Sequence, residues 1–456
     1  MKQTKRFFGL IAAALLATST WAQMKFTYSA QATESELADG SRLVQLASGT
    51  NLNEGFITGA TVGGQAVDLS DINPNPATTF ITDGEIETFV YDGKAYSFRF
   101  TEGQYFTAVM FGDPHVDQGN GYTTTATMQE MVTNICKLGQ DGGQTVTFSK
   151  APKGYTATAD IVFCLGDMDK DSQSDKTVFN NAMQGFNDAS IPFITIAGNH
   201  DFVPDYWTGN EGTAGLSGGI TGGAACNDVA LDIVTAQYGE AAGFGGFTVE
   251  TIKDQALTDA IHPGHFTFKY RGVRFYCANN YWFQKPYKMN SLLGAYTSLD
   301  CYYAADGTIN ALSEKVESNG NEAAIWLSHY PFVSEANSGT DASARWWLDQ
   351  TDVARTIKPT DAATSEYYNG DAEIPAYTTE EGKALATKKK KALADIIVKT
   401  KNPVHFSGHS HLTQEYSYSA TDGTSFKDYT IATPRAAYVV LCKEGVGVVE
   451  VKTVTF

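Results

Sequence analysis

Five short hydrophobic runs in this chain each end in a small residue followed by Asp, Asn or His. Such runs predict buried strands whose last residues carry polar side chains into a crevice. Open α/β sheets place their chemistry at strand ends of this kind, so we expect the five polar ends to meet at one edge of a sheet. The strand ends are Gly112-Asp113-Pro114-His115, Gly166-Asp167, Gly198-Asn199-His200-Asp201, Ser328-His329 and Gly408-His409-Ser410-His411.

The ordered set of these five blocks resembles the calcineurin-like metallophosphoesterase superfamily. One block alone, such as Gly-Asp, is common in unrelated proteins, whereas the five blocks in this order are a specific signal. They run from Asp113 to His411, so the resemblance covers the C-terminal three-quarters of the chain. It implies an α/β fold, a four-layer α-β-β-α sandwich of two facing mixed sheets flanked by helices.

The resemblance also implies a dinuclear metal centre. A carboxylate can bridge two ions and an imidazole cannot. The resemblance implies that Asp167 takes this shared position. Mixed imidazole and carboxylate ligands suit transition metals, and we expect two divalent or trivalent ions of Mn, Zn or Fe. The implied ligands beside Asp167 are Asp113, His115 and His411 for one ion and Asn199, His329 and His409 for the other.

The implied reaction is the hydrolysis of a phosphate ester. The ions would lower the pKa of a shared water, so that a bridging hydroxide attacks phosphorus. His200 matches the family histidine that contacts the phosphate and protonates the leaving group, and Asp201 would orient His200 through a hydrogen bond. The expected substrate is a small molecule with a phosphomonoester or phosphodiester bond. The alternative is a non-catalytic, metal-containing surface binding protein on the same fold.

Each motif residue also has an ordinary structural explanation. An Asp after a strand is commonly a helix N-cap, which would account for Asp113 and Asp167. His329 could be a packed loop histidine. Taken together these separate explanations require many coincidences, so the metal centre is favoured. The histidines outside the motif, His262, His265 and His405, are interpreted as structural.

One branch of the superfamily does not fit. Purple acid phosphatases carry a tyrosine three residues after the bridging aspartate, and this chain has Lys170 at that position. It also keeps His115, which the purple branch lacks. The chain therefore resembles a general member of the superfamily, and Fe(III)-tyrosinate chemistry is not expected.

The first 22 residues have the features of a secretory signal peptide. A basic segment is followed by the apolar stretch from Phe7 to Leu16 and by small residues before Gln23. This pattern predicts cleavage after Ala22 and export to a periplasm or out of the cell. The apolar stretch is too short to span a bilayer, and no later stretch is apolar enough, so no membrane span is expected in the mature chain.

The charge balance limits the partners. The chain has 33 basic and 51 acidic residues, a net charge of −18. Such a surface repels polyanions, so no nucleic acid polymer is expected. A small phosphorylated substrate remains compatible, because bound metal ions would supply local positive charge. The sequence does not indicate an oligomeric state.

The motif divides the chain into two parts. Residues 23–101 carry no motif residue and form a small β-rich N-terminal region of unknown function, with a hairpin turn at Asp92-Gly93. Residues 102–456 form the catalytic domain, with insertions near 204–264 and 334–378.

Within the catalytic domain, apolar spacing predicts helices over 124–138, 176–186 and 379–398. The first two lie between motif strands, which predicts two successive βαβ units and a parallel sheet. The run Lys388-Lys389-Lys390-Lys391 is interpreted as a solvated helix face. Four alternating segments after His411 are expected to close a second, antiparallel sheet.

Overall fold

The computed structural model describes residues 23–37, 39–52, 55–116, 123–168, 177–196, 249–252, 266–278, 284–288, 296–301, 306–333, 380–431 and 435–456. The chain divides into two compact units, one with the residues up to Tyr105 and Ala151–Tyr155, the other with Phe106–Lys150 and Thr156–Phe456. The predicted signal peptide and most of the two predicted insertions lie outside the described residues.

The described elements are numbered in chain order. The strands are β1 Met24–Tyr28, β2 Ala32–Glu36, β3 Arg42–Leu46, β4 Ile57–Val62, β5 Gln65–Val67, β6 Ile86–Tyr91, β7 Lys94–Glu102, β8 Tyr105–Phe111, β9 Ile161–Cys164, β10 Phe193–Thr195, β11 Val249–Thr251, β12 Phe266–Tyr270, β13 Val273–Cys277, β14 Gln284–Lys288, β15 Tyr296–Cys301, β16 Ala323–Leu327, β17 Lys401–Ser407, β18 Gln414–Ser419, β19 Ser425–Thr430, β20 Ala436–Lys443 and β21 Gly447–Thr455. The helices are α1 Thr125–Cys136, α2 Thr177–Asp188, α3 Asp306–Asn319 and α4 Glu380–Ile397. None of the described helices combines the length and the hydropathy needed to cross a bilayer.

The N-terminal unit is built from two small sheets, with strand orders β1-β4-β5 and β2-β3-β7-β6. Its core is aromatic: the ring of Phe26 lies 4.7 Å from that of Phe98 and 5.2 Å from that of Phe89. The β6-β7 hairpin turns at Asp92 and Gly93, whose φ angles of 47° and 72° are those of a type I′ turn. The short connection joins antiparallel neighbours, as the Asp-Gly dipeptide predicted.

The first sheet of the second unit has the order β10-β9-β8-β20-β21. Strands β8, β9 and β10 are parallel, and helices α1 and α2 lie between them in the chain. The two predicted βαβ units are therefore present. Because parallel strands point the same way, the loops that follow β8 and β9 leave the sheet at the same edge.

The second sheet has the order β11-β12-β13-β16-β17-β19-β18 and contains both parallel and antiparallel pairs. Both sheets contribute to one apolar core, in which the ring of Phe163 on β9 lies 5.0 Å from that of Phe275 on β13. Two mixed sheets around a common core confirm the predicted α/β class.

Helices pack on the sheet faces that point away from this core. Phe186 of α2 lies 5.0 Å from Phe193 on β10, and Asn319 at the end of α3 donates to the hydroxyl of Tyr276 on β13. These contacts agree with helices outside each sheet. The complete four-layer order stays a prediction.

Two predictions about the sheets are wrong. The five motif runs do not meet at the edge of a single sheet, because β8, β9 and β10 belong to the first sheet and β16 and β17 to the second. The four C-terminal strands also do not form one antiparallel sheet: β18 and β19 join the second sheet, whereas β20 and β21 extend the first. Alternation along a strand reports which face is buried, but it contains no information about which sheet the strand joins.

The lysine run is also not uniformly solvated. Lys390 is 5 % exposed, and it lies on the same face of α4 as the buried residues Leu393, Ala394 and Ile397. The spacing of three, four and seven residues puts all four side chains on one stripe of the helix. Burial lowers the pKa of Lys390 to about 8, although the charge of Asp428 opposes this shift.

Candidate metal centre

Six of the predicted ligands lie directly after four strands. Asp113 and His115 follow β8, Asp167 follows β9, His329 follows β16, and His409 and His411 follow β17. Asp113, His115, Asp167 and His329 are buried, whereas the side chain of His411 is 33 % exposed. The strand ends of the two sheets thus deliver carboxylates and imidazoles to one place.

The side chains form two groups, each able to hold a metal ion. Each member of a group contributes one ligand atom, and within a group all of these atoms lie within 4.8 Å of one another. Asp167 belongs to both groups. Asp113, His115, Asp167 and His411 make the first group, and Asp167, His329 and His409 make the second.

Short distances connect the groups through the carboxylates. Asp167 Oδ2 lies 3.5 Å from His115 Nε2 and 3.2 Å from His329 Nε2. On either side, His411 Nε2 lies 3.4 Å from Asp113 Oδ1, and His409 Nδ1 lies 3.2 Å from His329 Nε2. Ring nitrogens and carboxylate oxygens therefore converge on the same small volume.

The imidazole of His329 has a defined orientation. Its Nδ1 lies 2.8 Å from the carbonyl oxygen of Leu165, which can only accept a hydrogen bond, so Nδ1 donates. The other nitrogen, Nε2, then faces Asp167. A hydrogen bond that fixes the tautomer in this way is the usual support of a histidine that binds a metal.

The carboxylate of Asp113 is held by the loop after β17. The backbone N–H of His409 lies 2.8 and 2.9 Å from its two oxygens. Gly408 is required here, because a Cβ at this position would lie 2.3 Å from Asp113 Oδ2. The helix N-cap explanation does not apply to Asp113, because the residue that caps α1 is Thr124.

The backbone at the centre is strained. Five of the ten described non-glycine residues with positive φ are predicted ligands: Asp113, His115, Asp167, His409 and His411, with φ between 41° and 66°. Apart from turns such as the one at Asp92, non-glycine residues in this left-handed conformation, which costs about 1–3 kcal/mol each, cluster at active sites and ligand clamps. The fold therefore maintains an unfavourable backbone in order to place these side chains.

The charges of the centre favour a cation. Burial by itself would lower the pKa of His329, but the carboxylates of Asp167 and Asp113 outweigh it and raise this pKa to about 9. The pKa of His411 is also raised, because hydrogen bonding and charge from Asp113 exceed the effect of burial. Together the imidazole and carboxylate donors fit a divalent transition-metal ion.

The remaining predicted site residues, Asn199, His200 and Asp201, lie outside the described residues. The strand that leads to them, β10, is parallel to β9. Sequence reasoning missed Tyr330, a buried residue whose ring centroid lies 4.4 Å from that of His409 and 5.3 Å from that of His329. The signal in the sequence that could have identified Tyr330 was its position directly after the predicted ligand His329.

Comparisons with known proteins gave matches among solved structures only. No family model matches the chain. No curated protein matches it. A dimetal phosphatase from Danio rerio has 12 % identity and a TM-score of 0.31, with 77 % of this chain and 99 % of that chain covered.

Two further similarities are to proteins of Thermus thermophilus. The sulfate thiohydrolase SoxB in complex with glycerol has 13 % identity and a TM-score of 0.34, over 77 % of this chain and 56 % of that one. A 5'-nucleotidase precursor has 11 % identity and a TM-score of 0.31, over 77 % and 54 %. These TM-scores are too low to support an argument. The resemblance of this chain to calcineurin-like metallophosphoesterases is carried by the ordered motif and by the side chains that the fold brings together.

Proposed function

We propose that this chain is an exported, metal-dependent phosphoesterase of the calcineurin-like superfamily that hydrolyses a phosphomonoester or phosphodiester bond of a small molecule. The observation that carries the proposal is the place of Asp167 in both ligand groups. A carboxylate shared by two groups of imidazole and carboxylate donors is the arrangement that a two-metal hydrolase requires.

In this proposal the described side chains divide between two ions of Mn, Zn or Fe. Asp167 serves both ions, Asp113, His115 and His411 serve the first, and His329 and His409 serve the second together with Asn199. When bound, the ions supply Lewis acidity to the phosphate oxygens and lower the pKa of a water molecule. The hydrogen bond from His329 Nδ1 to the carbonyl of Leu165 and that from the His409 N–H to Asp113 hold the ligands in place before substrate arrives.

The proposed proton donor is His200, which follows the ligand Asn199 in the sequence. It would transfer a proton to the oxygen that leaves phosphorus, a contribution of typically about 10²–10⁴-fold for a positioned general acid. Asp201 would hold the imidazole of His200 in orientation. The proposal includes export directed by the first 22 residues, and the sequence is the only support for this part.

The test is hydrolysis of p-nitrophenyl phosphate and of bis(p-nitrophenyl) phosphate with added Mn²⁺ or Zn²⁺. We expect turnover of at least one ester by the parent protein, loss of turnover after chelation, and recovery when metal is added back. Asp167→Asn is the control variant. Equal rates for this variant and the parent would contradict the proposal, and tight metal binding without hydrolysis would support a binding protein instead.

The same assay narrows the substrate. A panel of nucleotides, cyclic nucleotides, sugar phosphates and phospholipid head groups separates the classes that the motif leaves open. The ratio of monoester to diester turnover decides between phosphatase and phosphodiesterase.

A further inference from the structure

A buried chain of hydrogen bonds lies directly behind His329. Ser328 Oγ lies 2.6 Å from His405 Nε2, and His405 Nδ1 lies 2.7 Å from Asp428 Oδ1. All three residues are at most 1 % exposed. The order of groups is that of a Ser-His-Asp triad, but a serine buried to this degree offers no surface to a substrate. We call this set the Ser-His-Asp chain.

The register of the second sheet explains why these residues meet. His405 on β17 pairs with Asp428 on β19 and with Trp326 on β16, and these strands are parallel. Paired residues point to the same face, and Ser328 follows Trp326 by two residues, so it points to that face too. The Ser-His-Asp chain therefore lies across three adjacent strands, on the face away from the core that the two sheets share.

Asp428 also holds the other end of the loop that carries His329. Its second oxygen, Oδ2, accepts hydrogen bonds from the backbone N–H groups of Phe332 and Val333 at 2.8 and 2.9 Å. Asp428 thus anchors Ser328, the residue before His329, through His405. It anchors the segment after His329 directly. The hydroxyl of Ser328 closes the turn with a 2.9 Å hydrogen bond to the carbonyl of Tyr330.

Stability alone does not explain such a group. Burying a carboxylate is unfavourable, and well-packed apolar residues at the same positions are often as stable or more stable. The rings of Phe332 and Phe426 surround His405 at 5.0 and 6.4 Å, so an apolar alternative would find suitable neighbours. The polar groups instead provide directional hydrogen bonds, and these fix the His329 loop in one arrangement.

We propose that Asp428, acting through His405 and Ser328, is a positioning residue that holds the His329 loop in its metal-binding conformation. The proposal rests on the proposed function in that His329 binds a metal ion. The Ser-His-Asp chain would set the affinity and the geometry of the ion held by His329 and His409. The ion held by Asp113, His115 and His411 would depend on it far less.

The experiment compares Ser328→Ala and Asp428→Asn with the parent and with Thr400→Val. The control removes the buried 3.3 Å hydrogen bond from Trp326 Nε1 to Thr400 Oγ1 and the 2.7 Å hydrogen bond from Thr400 Oγ1 to the carbonyl of Ile397. Trp326 lies on β16, the strand that leads into the His329 loop, but neither hydrogen bond involves a predicted ligand. Mn²⁺ affinity is measured by competition with a chromophoric chelator. The absorption spectrum of the Co²⁺-loaded protein reports coordination geometry independently of activity.

We expect the affinity for one of the two ions to fall by about 10–100-fold in both variants, as for other residues that orient metal ligands. The second ion should change by less than about threefold, and the Co²⁺ spectrum should shift. Thr400→Val should leave affinity and spectrum unchanged. If Asp428→Asn does not fold, Ser328→Ala decides the question, because it removes only a hydroxyl group.

The outcomes separate the two proposals. Parent-like affinities and spectra in both variants would overturn the positioning role while leaving the proposed function intact. Weakened binding of one ion in a protein that hydrolyses no phosphate ester would support the positioning role and overturn the function. A parent protein that binds no metal would overturn both.

Discussion

Two regions of this protein use the same pair of side chains in different ways. In the metal centre, His329 Nε2 lies 3.2 Å from Asp167, and in the Ser-His-Asp chain His405 Nδ1 lies 2.7 Å from Asp428. Both pairs are buried. Asp167 follows a strand and has a left-handed backbone, whereas His405 and Asp428 lie within regular strands.

The difference shows what makes buried histidine and aspartate residues a candidate site. Asp428 is matched by three N–H donors, one from a side chain and two from the backbone. In the metal centre two carboxylates and four imidazoles converge instead, and the backbone of five of these residues is strained. Residue type is the same in both regions, so convergence and strain distinguish the site.

The largest effect is expected for Asp167→Asn, which removes the charge shared by both ligand groups. Metal-dependent hydrolysis should fall by at least about a thousandfold, equivalent to roughly 4 kcal/mol in the activation barrier. The melting temperature of the metal-free protein should change less than in His405→Phe, because Asp167 shares its site with a second carboxylate, Asp113, and the variant relieves their repulsion. Rates with added Mn²⁺ and a melting curve after chelation measure the two effects.

His405→Phe, unlike Asp167→Asn, should destabilise the metal-free protein, in addition to weakening the ion held by His329. The ring volume is retained, but Asp428 loses its imidazole partner, and breaking a buried pair in this way costs about 3–5 kcal/mol. Denaturant unfolding of the metal-free protein measures this loss. A large fall in activity with unchanged stability would show that the Ser-His-Asp chain, like the metal centre, contributes to function and not to stability.

Gly408→Ala tests the close approach at the metal centre. The new Cβ would lie 2.3 Å from Asp113 Oδ2, so the carboxylate has to move and metal affinity should fall by about tenfold, roughly 1.4 kcal/mol. Gly59→Ala is the matched control, because its nearest contacts would be ordinary ones at 3.6 Å. Chelator competition compares the two variants, and similar affinities in both would contradict the role of Gly408.

Lys390→Met tests the charge beside the Ser-His-Asp chain, and we expect it to stabilise the protein by roughly 1 kcal/mol at pH 7. Because the pKa of Lys390 is lowered to about 8 in the folded protein, the unfavourable burial of its charge is fully present below pH 8. Between that value and the ordinary pKa of lysine, the unfolded state binds more protons, so the parent gains stability as the pH rises.

The advantage of Lys390→Met should therefore be largest at pH 7 and shrink towards pH 10. Denaturant unfolding of parent and variant at both values measures it. An advantage that stays constant with pH would show that Lys390 does not titrate in the folded state as described.

The local parts of the fold were predictable from the sequence. Helix spacing predicted α1, α2 and α4 to within a few residues, because amphipathic periodicity is a property of neighbouring residues. The Asp92-Gly93 turn followed from the conformational preference of that dipeptide. The same reasoning located the strand ends that carry Asp113, Asp167 and His329.

Non-local features were not predictable in this way. The burial of Lys390 depends on the packing of α4, and the split of the C-terminal strands between two sheets depends on strand pairing. His405 was interpreted as structural, but Ser328 and Asp428 were not identified as its partners. Such partners are joined by sheet register between distant segments, and local residue patterns do not encode it.

The sequence by itself determined the chemistry available to this protein: which acids and imidazoles follow buried strands, and in what order. The tertiary structure decided that Asp167 belongs to both ligand groups and that Asp428 anchors both ends of the His329 loop. The reason is physical. Side-chain type is a local property, whereas a distance of a few ångströms between residues far apart in the chain arises only when both sheets pack around their common core.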